Sequence, residues 1–577
     1  MNKNRVRMTL LIAGPGAGKT RRLTGDVKAL LSQSVSPFSI KPITFAREAA
    51  MEITQRLDGD VAAQTNHSFG LTIIGTACKA RGETIPRIID DERQKALVQR
   101  ALQETGKTKL DVSDIMTQMA KVRERGTPLA RLEPAIVSVI NRYYQIMSAE
   151  GLMDFSGILE RARKELENPD IQEFLAGQYI FADEGQDTNP YNEWPILQKL
   201  YEECMGFTMF ASPSQQIYGF RGADWEQLVK SFPEDHVEES MLINHRSTPQ
   251  IVKASVALAG KDADGMIPVN KDGPPVLWVD AVNPDMELDY IAAQVAKWIT
   301  SQAVEKPSDI AILTRVHNQL FPIERILRAR GIPTTLMSQK HNPFTRVETR
   351  ALLGYLKLAA DPMDDTMLED IIDYPSCGIG SRRRYQLRRD EDLTWDHMAM
   401  ALAFPDDHPE QVIGRIHQLL DVRADLDELN KCNLPVHERV AKAIDMTGIS
   451  VQLLADGDYN GVRALEDLTK ASKEFRSLDE FAEYLSDELD KPRETDGVVL
   501  GTLHASKGRE WPAVIMPNMQ NGALPMAGGD KVEEQNLAFV GVSRPKQRLV
   551  LVSNAASAPS PFITLAKQEA IKWPRKR

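Results

Sequence analysis

Cysteine is scarce: there are four in 577 residues, at positions 78, 204, 377 and 432, with no closely spaced pair. That scatter excludes a disulfide framework, a zinc ribbon and an iron–sulfur cluster, and it predicts a reducing, cytoplasmic setting. Long apolar runs are missing as well, since no stretch approaches the roughly 20 residues that a membrane-spanning helix needs. The short apolar run after the basic N-terminus leads straight into a glycine-rich loop with no cleavage-type sequence between them, which reads as a first strand rather than a signal peptide. Positive charge is also in deficit: 70 Lys and Arg stand against 81 Asp and Glu, a net charge of −11. An acidic total leaves a nucleic-acid partner open, because phosphate contacts need a local basic groove rather than a basic whole. Such clusters exist, with five arginines in 381–389 and a basic tail at 573–577.

What is present is an ordinary globular composition, 42% hydrophobic and 26% charged. The length exceeds what one core can organise, so several domains are expected. Short apolar runs at 10–13 and 42–45, each followed by an amphipathic stretch, predict a parallel sheet with crossover helices. From about 80 to 149 the pattern becomes helical, as at 92–104 and 132–150, and strand–helix alternation returns at 179–183 and 208–211. A second α/β region starts near 240, with strands at 276–279 and 310–314. It is interrupted by a helix-rich segment and resumes at 497–503, 513–517 and 548–552. The fold class expected is therefore α/β with two parallel-sheet domains, each carrying a helical insertion. The first spans 1–80 and 150–240 around an insertion at 81–149. The second spans 241–373 and 496–577 around an insertion at 374–495.

The stretch AGPGAGKT comprises Ala13, Gly14, Pro15, Gly16, Ala17, Gly18, Lys19 and Thr20, a phosphate-binding loop with alanine at its first position. Small residues let successive backbone N–H groups turn inward on phosphate oxygens, and the following helix adds its positive end. Lys19 is placed to reach the β and γ phosphates, and Thr20 to offer its hydroxyl to Mg²⁺. The stretch YIFADEGQD at 179–187 supplies the other half: an apolar strand ends in Asp183 and Glu184, at the sheet edge where ligands bind. Asp183 suits the Mg²⁺ shell and Glu184 the activation of water. Arg246 and Arg544 are candidates for the positive charge that phosphoryl transfer needs. An NTPase using ATP and Mg²⁺ is the chemistry these residues point to.

Taken in order, the pieces resemble the helicase motifs of the UvrD/Rep/PcrA group of superfamily 1. TFAREAAME at 44–52 is similar to motif Ia, TNHSF at 65–69 to Ib, LMDF at 152–155 to Ic, and DEGQDTN at 183–189 to motif II apart from Gly185. QQIYGFRGA at 215–223 is similar to motif III, NHRST at 244–248 to IV, and IAILTR at 310–315, with GIP at 331–333, to IVa. TLHASKGRE at 502–510 resembles motif V and LAFVGVSR at 537–544 motif VI. The resemblance runs over nearly the whole chain. It implies two RecA-like motor domains and a γ-phosphate sensor at Gln215. Arg246 and Arg544 become arginine fingers, and Arg21, His245 and Glu510 fall on the nucleotide side. It also implies single-stranded DNA along Phe45, Thr65, His67, Tyr218, Phe220, Arg221, Arg315 and His504, movement from 3′ to 5′, and separation of duplex DNA. GIG at 378–380 and the arginines after it would suit a duplex phosphate backbone.

Several positions depart from the family pattern. No adenine-reading glutamine motif precedes Ala13, and His245 replaces the usual aromatic. Motif III opens with the sequence ASPS at 211–214 where acidic residues are usual, and Pro545 follows Arg544. The expectation is a compact ATP-driven DNA helicase or translocase, phage-encoded or serving as a partner subunit. Two other readings stand beside it: a DNA-stimulated ATPase that senses DNA for a separate effector such as a nuclease, and a phosphate-loop ATPase unrelated to nucleic acid.

Overall fold

The computed structural model describes residues 7–259, 263–337, 346–372, 374–375, 393–455, 459–490 and 496–574. The glycine–arginine segment at 378–389 and the last three residues of the basic tail lie outside these. The chain forms two compact units, one of residues 1–287 with 506–577, the other of residues 288–505.

In the first unit an all-parallel sheet runs in the order Gln64–Thr65, Ile40–Thr44, Tyr179–Ala182, Gly206–Ala211, Met8–Ala13, Val237–Met241. Its central strands are apolar on both faces, as covered parallel strands must be. Leu10, Phe207 and Met209 pack into one layer and Leu11, Ala13 and Phe210 into the other. Met8–Ala13 lies between strands that follow it by roughly 200 residues in sequence, which puts the phosphate loop one strand in from the end of the sheet. The helices Asp91–Glu104, Val112–Arg125 and Pro134–Ala149 close around their own core of Leu97, Ile115, Val139 and Tyr143, so the inserted segment is a separately cored bundle. Four further parallel strands of this unit run in the order Trp511–Met516, Pro545–Asn554, Leu277–Ala281, Glu569–Trp573.

The second unit holds parallel strands in the order Thr334–Leu336, Val498–Thr502, Ile310–Thr314. Beside them is a helical body cored by Leu352, Leu356, Ile416, Leu419, Val440, Leu465 and Phe481. The chain is thus α/β with two sheet-bearing domains. Among the edge strands that escape sequence reading, two are polar. Val237–Met241 is polar and exposed over most of its length, and Glu569–Trp573 alternates without a buried face, so neither carries the apolar signal of a covered strand.

Candidate active site and nucleic-acid interface

The phosphate loop leaves its strand at Ala13 and enters the helix Lys19–Ser32, with Gly16 at φ 71° and Gly18 at φ 87°. These left-handed conformations favour glycine. At Gly16 space is limiting too, since an added Cβ would come 2.6 Å from Arg246 Cβ and 2.9 Å from Asn244 Nδ2. That close approach follows from a zipper between the loop and 244–246. Asn244 Nδ2 donates to Pro15 O at 2.7 Å, and the His245 N–H donates to Gly16 O at 2.9 Å. The loop therefore faces a cavity of about 340 Å³ lined by residues 14–21 together with Glu184, Gln215, His245, Arg246, Glu510 and Arg544. Every nucleotide-side candidate except Ala13 and Asp183 is in that wall. Ala13 carries the loop from behind, its carbonyl accepting from Lys19 Nζ at 3.3 Å. Arg56 and Lys546 also line the cavity and had no sequence signal of their own.

Opposite the loop, the strand Tyr179–Ala182 delivers Asp183 and Glu184. The Asp183 N–H donates to Ile43 O at 2.7 Å, and Asp183 Oδ1 accepts from the Glu184 N–H at 2.9 Å. Glu184 sits at φ 55°, a left-handed conformation that costs a non-glycine residue on the order of 1 kcal/mol and that clusters at functional sites. Gly185 is explained by packing, because a Cβ there would come 2.6 Å from Met209 Cγ on the neighbouring strand. Burial, and next the Glu184 charge, push the Asp183 carboxyl up to about 7. Burial alone would raise Glu184 too, but the Lys507 and Lys19 charges outweigh it and hold Glu184 low. Burial also lowers Lys19, against the pull of both carboxylates.

Arg544 is 2% exposed, and its hydrogen bonds go to three neutral oxygens: Val540 O at 2.9 Å, Arg509 O at 3.2 Å and Ser543 Oγ at 3.0 Å. Burial, then the neighbouring Arg246 charge, push it down to about 9. Arg246 is held differently, by Glu510 at 2.6 Å and Ser543 O at 3.1 Å, and Glu510 also takes Lys546 at 2.9 Å. Gln215 is buried with Nε2 unpartnered. Among the described residues the Arg544 guanidinium pairs with no carboxylate and the Gln215 amide nitrogen has no partner, and with the Lys19 ammonium they face one cavity, a cradle that a polyanion would satisfy. A divalent cation would take its protein donors from Thr20 and Asp183. Among the described residues no group of three or more His, Cys, Asp or Glu forms a metal cage. Two protein oxygens fit Mg²⁺, which keeps several waters and shares phosphate oxygens.

A second surface of the same unit gathers the aromatic candidates. Phe45 stacks on Tyr218 with centroids 4.9 Å apart, and Phe220 meets Tyr218 at 5.9 Å. The Arg221 guanidinium lies 5.5 to 5.8 Å from all three rings. Thr65 caps the helix Asn66–Arg81 by accepting from the Ser68 N–H. His67 stacks on Phe155 at 3.9 Å with the rings 13° apart, and Phe155 is 58% exposed. Phe155 was read only as the end of motif Ic and not as a site residue, because a lone aromatic at a helix start has no periodic signature; only its partner shows its use. Arg315 and His504 lie in the second unit, one directly after the strand Ile310–Thr314 and the other two residues past Val498–Thr502. Lys507 is the other residue missed. Its ammonium pairs with Asp187, lies 3.8 Å from Glu184 Oε2, donates to Gln215 O at 2.8 Å and sits 5.2 Å from the Tyr218 centroid.

Residues 3–236 match the UvrD/REP helicase N-terminal domain, and residues 240–400 with 459–556 match the UvrD-like helicase C-terminal domain. The ATP-dependent DNA helicase PcrA of Bacillus subtilis is 25% identical over 94% of this chain and 80% of its own length. DNA helicase II of Escherichia coli is 26% identical over 98% of this chain and 86% of its own. A solved Lactobacillus helicase C-terminal domain covers 56% of the chain and 94% of its own length at 12% identity and a TM-score of 0.24, an overlap too loose to carry weight. Among the described residues no helix is long and apolar enough to cross a membrane. With both domain models matched in order across most of its length, the chain belongs to the UvrD/Rep helicase family.

Proposed function

We propose that this protein hydrolyses ATP to move 3′ to 5′ along single-stranded DNA and to separate duplex DNA ahead of it. One observation carries the reading. The Lys507 ammonium touches the acidic loop through Asp187, the Gln215 carbonyl and the Tyr218 ring, so hydrolysis site and aromatic shelf share one side chain. The names of the two relatives, both DNA helicases, support the same substrate.

In this reading Lys19 and Arg544 meet the γ-phosphate of ATP, Glu184 takes the proton of the attacking water, and Gln215 senses whether the γ-phosphate is present. Arg246 braces the phosphates from the Glu510 side, while Arg21, His245 and Glu510 border the ribose and base. Thr20 and Asp183 would hold Mg²⁺, which would supply charge neutralisation on the phosphate oxygens. Phe45, Tyr218, Phe220 and Arg221 present faces to successive bases, and Thr65 and His67 border the strand. Arg315 and His504 are assigned to the same strand by their motif positions. Stacking tolerates any base, which a stepping motor requires.

The test is ATP hydrolysis with and without single-stranded DNA, run beside displacement on duplexes carrying a 3′ or a 5′ tail. Stimulated turnover with displacement from the 3′ tail is expected. Displacement from the 5′ tail alone overturns the polarity. Stimulation without displacement assigns a sensor or translocase serving another effector, such as a nuclease, and DNA-independent turnover overturns the DNA reading altogether.

Two further outcomes follow from the shelf. Phe155→Ala removes an exposed stacking face and should weaken single-stranded DNA binding by about 5- to 150-fold, the equivalent of ~1–3 kcal/mol per base. A fluorescence-anisotropy titration reads this, and unchanged affinity removes Phe155 from the strand path. Burial, and secondarily the Arg221 charge, hold the His67 imidazole down to about 4. A folded-state value below the unfolded one of about 6.5 means that the unfolded chain binds the extra proton. His67 therefore contributes stability above about pH 6.5 that is lost as pH falls toward 4. Thermal unfolding of His67→Gln should lose less between pH 7 and pH 5 than the parent chain, and an equal loss would show His67 to be solvated.

A further inference from the structure

Two residues past Asp187 the chain enters a buried network that the roles above leave unused. Asn189 is 4% exposed and Glu193 6%. The Asn189 carboxamide donates through Nδ2 to Arg221 O at 3.1 Å and to Glu124 O at 2.8 Å, and accepts through Oδ1 from the Tyr191 N–H at 2.8 Å. The Glu193 carboxylate accepts from the Asn189 N–H at 2.9 Å and from Asn66 Nδ2 at 3.0 Å. Asn66 stands between Thr65 and His67, and Arg221 is the guanidinium over the three shelf rings. At the other end Asp187 grips Lys507.

We infer that Asn189 and Glu193 are positioning residues that couple the acidic hydrolysis loop to the strand-binding shelf, through Arg221 on one branch and Asn66 on the other. This rests on the translocase reading above. Three details separate such a strut from ordinary packing. Glu193 opens the helix Trp194–Glu203, yet its side chain does not cap that helix. The carboxylate is spent instead on Asn66 and on the backbone of the acidic loop's continuation. It is also buried without an ion-pair partner among the described residues, a costly placement that two directed donors offset. Finally, Gly222 stands at φ 82°, and a Cβ there would come 2.5 Å from Asn189 Nδ2, so the chain after Arg221 is shaped to admit this amide. A displacement of Asp187 on nucleotide turnover thus moves Asn189 and, through rigid hydrogen bonds, both halves of the shelf.

The experiment measures ATP turnover with and without single-stranded DNA, KM for ATP and thermal unfolding, on the full chain. Asn189→Ala should lower the ratio of DNA-stimulated to DNA-free turnover by about tenfold, with DNA-free turnover and KM within about twofold of the parent. Asn66→Asp sets two carboxylates together and should lose stimulation, whereas Glu193→Gln alone can keep the contact by turning the Asn66 carboxamide so that its oxygen accepts. Combined, the amide introduced by Glu193→Gln would donate to the carboxylate introduced by Asn66→Asp and still accept from the Asn189 N–H. The Glu193→Gln, Asn66→Asp pair should therefore restore the ratio to within about threefold of the parent. An unchanged ratio in Asn189→Ala and Asn66→Asp overturns the coupling. So does a loss that follows DNA-free turnover and unfolding temperature without recovery in the pair. If the parent chain itself shows no DNA stimulation, the functional reading fails first, and that outcome is distinct from either of these.

Discussion

Arg544→Ala should lower ATP turnover at saturating nucleotide by roughly 10³-fold while KM for ATP moves by less than about tenfold. The expectation comes from how the side chain is kept. Its guanidinium is buried, its three hydrogen bonds end on neutral oxygens, and no carboxylate pairs with it among the described residues. Such a cation carries an unrepaid desolvation cost, visible as a guanidinium lowered to about 9, yet it remains charged at neutral pH. A group held this way is stabilised most by the ligand state with the greatest negative charge toward it, and in phosphoryl transfer that is the transition state. A thousandfold loss corresponds to about 4 kcal/mol. Alanine also strands the Arg509 carbonyl, whereas Val540 O keeps the Ser543 N–H and hydroxyl as donors, so Arg544→Gln, which keeps a donor, separates loss of charge from loss of packing. Steady-state kinetics of both variants decide the matter. Equal losses in affinity and rate would make Arg544 a ground-state binder, and a rate preserved in the glutamine variant would remove the need for its charge.

How much of this was legible in the sequence depends on the distance between the partners. The phosphate loop could be read entirely, because its strand, small residues and helix are contiguous and its geometry is local. So could the acidic end of Tyr179–Ala182, an apolar strand closing on two carboxylates. Lys507 could not: it meets Asp187 across 320 residues, and nothing near it in the chain marks it as more than one residue of a motif. Gly185 read as a departure from the family pattern until Met209, on the next strand, showed that a Cβ would collide. Asn189 and Glu193 are equally invisible, since an Asn and a Glu beside a helix start signal a cap before they signal a strut. The two polar edge strands were missed because they lack the apolar runs that identified their covered neighbours.

Glu184→Gln should lower steady-state hydrolysis by about 10²–10⁴-fold while ATP still binds, leaving the chain on single-stranded DNA for longer in ATP than without it. The substitution keeps shape and removes only the capacity to accept a proton. The carboxylate is placed for that task by three constraints. The left-handed backbone at φ 55° turns it out of the strand toward the cavity. Gln186 holds Oε2 by its amide and accepts from the Ser212 N–H at 2.8 Å, which ties the side chain's aim to the segment leading to Gln215. Lys507 and Lys19 keep it ionised despite its burial. An amide at 184 can turn its oxygen to Gln186 or Lys507 but cannot carry a proton away from water, so binding survives and chemistry does not. Asp183→Asn should fail differently, with nucleotide affinity that no longer responds to Mg²⁺, because the proposed roles give that carboxylate to the cation rather than to the water. Single-turnover hydrolysis and DNA dissociation rates, each measured with and without ATP, distinguish the two. Turnover of the Glu184→Gln chain within about threefold of the parent would mean that water is activated elsewhere, and would leave Glu184 as a partner of Lys507 alone.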